Sequence, residues 1–463
     1  MKLTLLTAIY TIAQVSALAP LEPPLGKVLL GAWYDRNLTD TPVAVNARIN
    51  YKPLAFFQTD VDFSSTLKPW TAPSVVIPQF LRQLNETQTD AIAYLTVYPF
   101  QGFANITDAQ LQDMANRLNQ MVDAGHSVLL RFASEMNGNW FTYGQDPIGF
   151  IASWKRCITF WRNALGEKKN KVAFVWSPNS GNGYPFPGGE YAINVNGTDQ
   201  ATLDNLKVMD TNQNGILDYL DDPYMPYYPG DEYVDWVGMS IYHYGKEWKW
   251  VDNVVPEADK FEHYLQGNPT NGNSSGYYPF YSFFSGPSGC VSNITNEVVS
   301  RGNKPLLISE TAATFHFAYL NVSSTANPNN CSVPYCQSTA TRLDIKRAWW
   351  RSFLNQNFVD KFPMMKAIST FEFIKEEELT WRDFTMFGPA PNPYGDTEES
   401  VAQATAVVNG FTADAQAGMF PFLVYANAVQ TTGAVAATKT SSAASRHFFK
   451  CLVEMVGLVF SLI

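Results

Sequence analysis

From Lys27 to Gly418, short apolar runs alternate with segments whose apolar residues recur every three or four positions. The runs "KVLLGAWYD", "LAFFQTDV", "AIAYLTVYPF", "VLLRF" (from Val128), "VAFVWSPNSG", "VDWVGMSIYHYG", "KPLLISETAATF" and "MKAISTFEFIKE" are nearly continuous in apolar character. Strands buried on both faces read this way, because neither face meets water. Between them lie helical patterns. "TDAQLQDMANRLNQMVDAG" opens on a Thr cap and closes on a glycine, and "PIGFIASWKRCITFWRNALG" carries Pro147 in its first turn and Gly166 just past its end. "SVVIPQFLRQL", "TRLDIKRAWWRSFLNQNF" and "ESVAQATAVVNGF" complete the helical set. Eight strands separated mostly by helices predict an α/β fold of the (β/α)8 TIM-barrel type. A doubly wound open sheet is the rival, disfavoured because no G-x-G-x-x-G follows the first strand.

The apolar runs end in polar clusters. In a parallel barrel, every strand's C-terminal end opens on one shared cavity. Arg131, Glu135, Asn137 and Trp140 follow strand four, Trp176 and Asn179 follow strand five, and Tyr242 and His243 follow strand six. Glu310 ends strand seven, and Glu372 and Glu376 follow strand eight. A protonated and an ionised carboxyl facing each other across such a mouth suit cleavage of a glycosidic bond, one aiding departure of the leaving oxygen and the other attacking the anomeric carbon. Indole and phenol rings offer flat faces to sugars, while amides and a guanidinium bond hydroxyls. Glu135 and Glu310 are the candidate catalytic pair. Arg131, Asn137, Trp140, Trp176, Tyr242 and His243 are the candidate substrate contacts.

Composition narrows the partners. With 46% hydrophobic and only 16% charged residues, the chain can bury a large core. Its net charge of -10 and lack of a basic stripe argue against nucleic acid. Residues 1–17, with Lys2, an apolar run and small residues at Val15 and Ala17, read as a secretory signal. Sequons begin at Asn37, Asn85, Asn105, Asn196, Asn273, Asn293, Asn321 and Asn330, which fits a secreted glycoprotein. In an exported chain cysteines pair by default. Cys331 could close a small loop with Cys336, either could pair with Cys290 instead, and Cys157 reads as a buried thiol. After a connecting segment over 419–445, residues 446–463 form a mostly apolar tail. It reads either as a glycolipid-anchor signal or as an amphipathic end helix, with Lys450 and Glu454 interrupting it.

At the strand ends the chain resembles glycoside hydrolase family 26, known for β-mannanases. "SEMNGNWF" keeps Glu135, Asn137, Gly138, Trp140 and Phe141 of the family's H-E-x-N-G-x-W-F segment, and "ISET" matches its strand-seven glutamate at Glu310. The resemblance spans Lys27 to about Gly418. It implies a (β/α)8 barrel and a retaining mechanism with Glu135 as acid/base, Glu310 as nucleophile and Tyr242 as the aromatic residue near strand six. Two departures touch the sugar-selecting subsite. Ser134 stands where the family has histidine, and "STFEFIKEEE" offers Phe371 and Phe373 where mannanases carry tryptophan. A secreted, monomeric endo-β-glycosidase acting on mannan or a related wall polysaccharide is the expectation, with no catalytic cofactor. A non-hydrolytic glycan-binding barrel at the cell surface is the alternative.

One motif stands apart. "DTNQNGILDYLDD" places Asp210, Asn212 and Asn214 at positions one, three and five of an EF-hand-like loop. Gly215 is at six, the Ile216 carbonyl at seven, Asp218 at nine and Asp221 at twelve. No flanking helix pair is evident, so a lone structural Ca2+ is expected in an insertion over 210–222.

Overall fold

The structure is a computed structural model and describes residues 18–36, 40–63, 69–246, 252–267, 278–291, 296–319, 340–378, 380–388 and 398–429. The signal-like segment, the sequons at Asn37, Asn273, Asn293, Asn321 and Asn330, Cys331, Cys336, Cys451 and the apolar tail lie outside these residues.

Eight strands close into a parallel barrel: β1 (Val28–Tyr34), β2 (Phe56–Asp62), β3 (Ile92–Tyr98), β4 (Val128–Phe132), β5 (Val172–Trp176), β6 (Trp236–His243), β7 (Leu306–Ala313) and β8 (Met365–Glu372). Each pairs with its neighbour in chain order, and β8 returns to β1 with Leu29 opposite Ala367 and Tyr34 opposite Glu372. The expected barrel is therefore the fold. Helices α1 (Pro42–Ile49), α2 (Pro73–Glu86), α3 (Asp108–Asp123), α4 (Pro147–Leu165), α5 (Gln200–Met209), α6 (Lys260–Gln266), α7 (Arg342–Phe353), α8 (Gln356–Lys361) and α9 (Glu398–Gln416) occupy the connections.

Local signals set the helix ends. Thr107 caps α3 in a reciprocal box with Gln110, and Asp146 caps α4 by accepting from the Gly149 N–H. The stretch expected as one helix over 341–358 is broken at Leu354. Asn355 there accepts from the Phe358 N–H and starts α8. Likewise the eighth run is not one strand. β8 stops at Glu372, and Ile374–Glu377 turns back against Thr380–Asp383, which pairs in turn with Phe315–Tyr319 beyond β7. This small antiparallel sheet continues from the C-terminal ends of β7 and β8.

Side chains sort by alternation. Val28, Leu30, Ala32 and Tyr34 of β1 join the core between barrel and helices, whereas Leu29 points inward with Phe56, Tyr94, Leu129, Ala173, Val175, Trp236, Leu307 and Ala367. Ala19 and Leu21 pack against this inner layer, where the Trp236 indole N–H donates to the Pro20 carbonyl at 2.7 Å. Above it lies a polar layer. Gln58 donates to Thr96 at 2.9 Å and accepts from Ser369 at 2.7 Å, and Ser177 donates to Ser309 at 2.9 Å. The barrel unit runs past Gly418, since Leu423 and Val424 pair with Val28 and Leu29, and it ends at Asn427. Of the C-terminal unit, Ala428–Ile463, only 428–429 are described.

Candidate active site

Strict alternation would turn Glu310 outward, because Leu307 faces in and Ile308 faces out. A β-bulge reverses it. Met239 lies opposite Ile308, but the next residue on β6, Ser240, lies opposite Glu310. Against β8, Ile308 faces Ile368 and Thr311 faces Thr370. One extra residue on β7 therefore lets Ser309 and then Glu310 both face the barrel axis, a common use of bulges beside active sites.

Glu310 is 8% exposed and held on both oxygens. The fully buried Arg131 guanidinium donates to one through Nη1, and the Tyr242 hydroxyl donates to the other at 2.6 Å. The second arm of Arg131 donates to Ser240 Oγ at 2.9 Å. The buried Arg131 cation and the Tyr242 hydroxyl thus fix the Glu310 carboxyl by both oxygens.

Glu135 follows β4, close enough to Glu310 to feel its charge and to Ser240 to accept its hydroxyl. Ala133 and Glu135 take left-handed backbone angles, φ 47° and 54°, unusual for residues with a side chain. Neighbouring strands pin this turn. The Ala133 N–H donates to the Val97 carbonyl and the Glu135 N–H to the Ser177 carbonyl, each at 2.9 Å. The half-buried Glu135 carboxyl accepts the Trp140 indole N–H at 2.8 Å. Its proton affinity is raised above the usual carboxyl range, first by burial and then by the charge of Glu310. Arg131 opposes the shift, as do hydrogen bonds from Ser240 and Trp140. The site therefore offers one carboxyl gripped by a cation and a hydroxyl and another whose proton affinity is raised.

Trp140 is 39% exposed. Its indole lies over Gly138 so closely that a Cβ there would come within 2.3 Å of the ring, which explains the glycine in the N-G-x-W segment. Four further candidates divide differently from the expectation. Asn137 is buried and forms a reciprocal pair with the Asn179 backbone, at 2.9 and 2.8 Å, so its amide ties the loops after β4 and β5 together. Trp176 is a correction. It is fully buried on the outward face of β5, stacks on Phe280 and donates to the Tyr227 carbonyl at 2.9 Å. His243 is another, since the residue after the inward Tyr242 must face out. Its Nε2 bonds the Val254 carbonyl, and Lys260 donates to its Nδ1 at 3.0 Å. Burial, then the Lys260 charge, lowers its pKa to about 4 and keeps the ring neutral. Glu372 also points outward, accepting the Met386 and Phe387 N–H groups at 2.9 and 2.8 Å.

The structure adds residues the sequence reading passed over. Asp60, at the inward end of β2, pairs with Arg36 at 3.2 Å, and burial raises its proton affinity. Trp33, Phe371, Phe384, Ala312 and Tyr242 form an apolar wall beside Glu310. The polar run closing "LAFFQTDV" was the available signal for Asp60. Trp33 had none, because a tryptophan in an apolar strand reads as core.

In the 210–222 loop, Gly215 turns at φ 82° and the Asp210 carboxylate accepts the Asn214 and Gly215 N–H groups. Asn214 Oδ1 accepts from the Ile216 N–H, and Asp218 Oδ1 from the Leu220 N–H. Asp221 is fully buried, and both its oxygens accept backbone N–H groups, from Thr211 and Asn212 on one side and Asp218 on the other. Among the described residues no three acidic, His or Cys side chains are grouped to hold a metal ion. The loop is closed by its own hydrogen bonds.

Residues 70–218, which include Glu135, match the model of glycosyl hydrolase family 26. Over 169 residues the chain is 24% identical to the mannan endo-1,4-beta-mannosidase A and B of Caldalkalibacillus mannanilyticus; the match covers 32% of this chain and 25% of that protein, so it spans a quarter of the relative's length. Similar solved structures include a GH26 β-mannanase from Bacteroides ovatus (11% identity, TM-score 0.42, covering 86% of this chain and 90% of that one). The GH26 domain of an endo-β-mannanase/endo-β-glucanase from Prevotella bryantii is another (12%, 0.40, 88% and 92%). Over residues 70–218, the segment that holds Glu135, this chain is thus similar to glycosyl hydrolase family 26.

Proposed function

We propose that this protein is a retaining endo-β-glycosidase acting on mannan or a related β-linked polysaccharide. Glu310 attacks the anomeric carbon while protonated Glu135 releases the leaving oxygen. Glu135 then takes a proton from the water that hydrolyses the glycosyl–Glu310 ester. The observation that carries this reading is the bulge in β7. It spends a strand irregularity on bringing one carboxylate to the mouth, where Arg131 and Tyr242 grip it close to Glu135. Arg131 and Tyr242 orient the nucleophile, and Trp140 offers an exposed face for a sugar.

The test is chemical rescue. On an activated aryl β-mannoside, Glu310→Ala should lose turnover and regain it with azide as the α-glycosyl azide. Glu135→Ala should regain it as the β-azide. Undiminished hydrolysis by either variant refutes the assigned roles. Binding of mannan by the wild type without any turnover would favour the non-hydrolytic alternative, which the missing histidine at Ser134 keeps in view; the Ser134 hydroxyl is buried with no hydrogen-bond partner among the described residues.

The same reading has the protein secreted, with residues 1–17 as its leader and the tail as a candidate glycolipid anchor. In support, the sequon asparagines Asn85, Asn105 and Asn196 are all exposed. The 210–222 loop is read as a structural Ca2+ site with no part in the chemistry.

A further inference from the structure

The loop after β5, "GNGYPFPGG", was not singled out by the sequence, yet it is fastened to the acid-bearing segment at several points. Asn139 donates through its amide to the Phe186 carbonyl. Gln145, itself buried, donates to the Pro185 carbonyl at 2.6 Å and accepts from the Ile193 N–H at 2.8 Å. Gly189 is pressed so tightly on Asn139 that a Cβ would come within 2.2 Å of it. These ties hold Phe186 at φ 55°, a left-handed conformation that is a true outlier for a bulky aromatic residue. Strain of this kind persists only where the surroundings over-determine it, and it gathers at functional sites.

What the strain achieves is a ring position. The half-buried Phe186 meets the Trp140 indole edge to face, with centroids 5.1 Å apart and planes at 68°. Phe186 also meets Tyr184, which is almost fully buried, with centroids 5.9 Å apart and planes at 89°. Trp140 is therefore fixed by Gly138 beneath, by Phe186 at its edge and by the bond from its N–H to Glu135.

We propose that Phe186 is a specificity-determining residue for the leaving group: with Trp140 it forms an aromatic corner that receives the first sugar on the leaving side of the scissile bond. The inference rests on the glycosidase reading. A general acid must touch the leaving oxygen, so the ring bonded to that acid borders the leaving sugar. Two planes at a steep angle can contact a pyranose on its face and at its edge at once.

The experiment compares two substrates on the full-length protein. Mannohexaose needs a bound leaving sugar; 2,4-dinitrophenyl β-mannobioside has a leaving group that needs neither protonation nor stacking. Wild-type turnover of the aryl glycoside tests the glycosidase reading by itself. Given that turnover, Phe186→Ala should lower kcat/KM for mannohexaose about tenfold, the worth of one aromatic contact. The aryl glycoside should stay within about twofold. Phe186→Tyr should restore mannohexaose hydrolysis, and thermal melting of each variant separates loss of the fold from loss of the contact. Equal losses on both substrates, or unchanged mannohexaose kinetics in a folded Phe186→Ala protein, would overturn the proposal and leave the catalytic reading standing.

Discussion

Glu372 ends β8 as Glu310 lies in β7, but it faces the helices, and this has a measurable consequence. Its carboxyl is 2% exposed, and the burial raises its pKa to about 7 against partial compensation from Thr370, the Phe387 and Met386 N–H groups and Lys346. One oxygen accepts the two N–H groups; the other is buried and makes no hydrogen bond within the usual distance among the described residues. A carboxyl whose folded pKa is raised contributes stability that is fully present below its unfolded value and is lost as pH rises through the folded one. The window here runs from about 4.5 to about 7. A separation of that size corresponds to roughly 3 kcal/mol. Glu372→Gln removes the titration. Its carbonyl can still accept both N–H groups, and any fixed offset from its amide is the same at every pH. The difference in unfolding free energy between variant and wild type should therefore shift by about 3 kcal/mol in favour of the variant between pH 4.5 and pH 8. Urea unfolding of both proteins at half-unit pH intervals reads this directly, and glycan hydrolysis should be retained. Curves that stay parallel across the window would show that burial does not perturb Glu372. Lost activity in a folded variant would show that the carboxyl reaches the mouth after all.

Other expectations are as direct. Tyr242→Phe deletes the hydroxyl that bonds Glu310 at 2.6 Å. A charge-assisted bond of about 2 kcal/mol implies a loss of roughly thirtyfold in kcat with little change in melting, and unchanged kcat would place Tyr242 outside catalysis. Arg131→Met leaves the Glu310 carboxylate without its buried cation; a cost of about 3–5 kcal/mol is expected, read as a lower urea midpoint, and an unaltered midpoint would contradict the pairing. His243→Ala should lower the melting temperature through the loop that Lys260 and Val254 hold, with KM unchanged; a raised KM would return His243 to the substrate contacts. Millimolar Ca2+ should raise the melting midpoint and chelation should lower it. Identical midpoints would remove the ion from the 210–222 loop and leave Asp221 as an internal anchor for backbone N–H groups.

The barrel was legible in the chain because continuous apolar runs such as "VAFVW" and caps such as Thr107 act locally, each within a few residues. The polar strand ends placed Glu135, Arg131 and Tyr242 near one mouth for the same reason. Facing was another matter. Trp176, His243 and Glu372 stand at strand ends as Tyr242 does, but alternation turns each toward the helices, and one residue of register separates a mouth residue from a core residue. Glu310 reaches the mouth through a bulge that exists only because β7 is paired with β6 and β8 on either side. Phe186 carries no signal in "GNGYPFPGG"; its ring finds Trp140 because Asn139 and Gln145, more than forty positions upstream along the chain, hold its backbone. Sequence alone thus determined the elements and their order, since propensity, capping and apolar periodicity are local. Tertiary pairing decided which side chains meet, since facing depends on register between strands far apart in the chain.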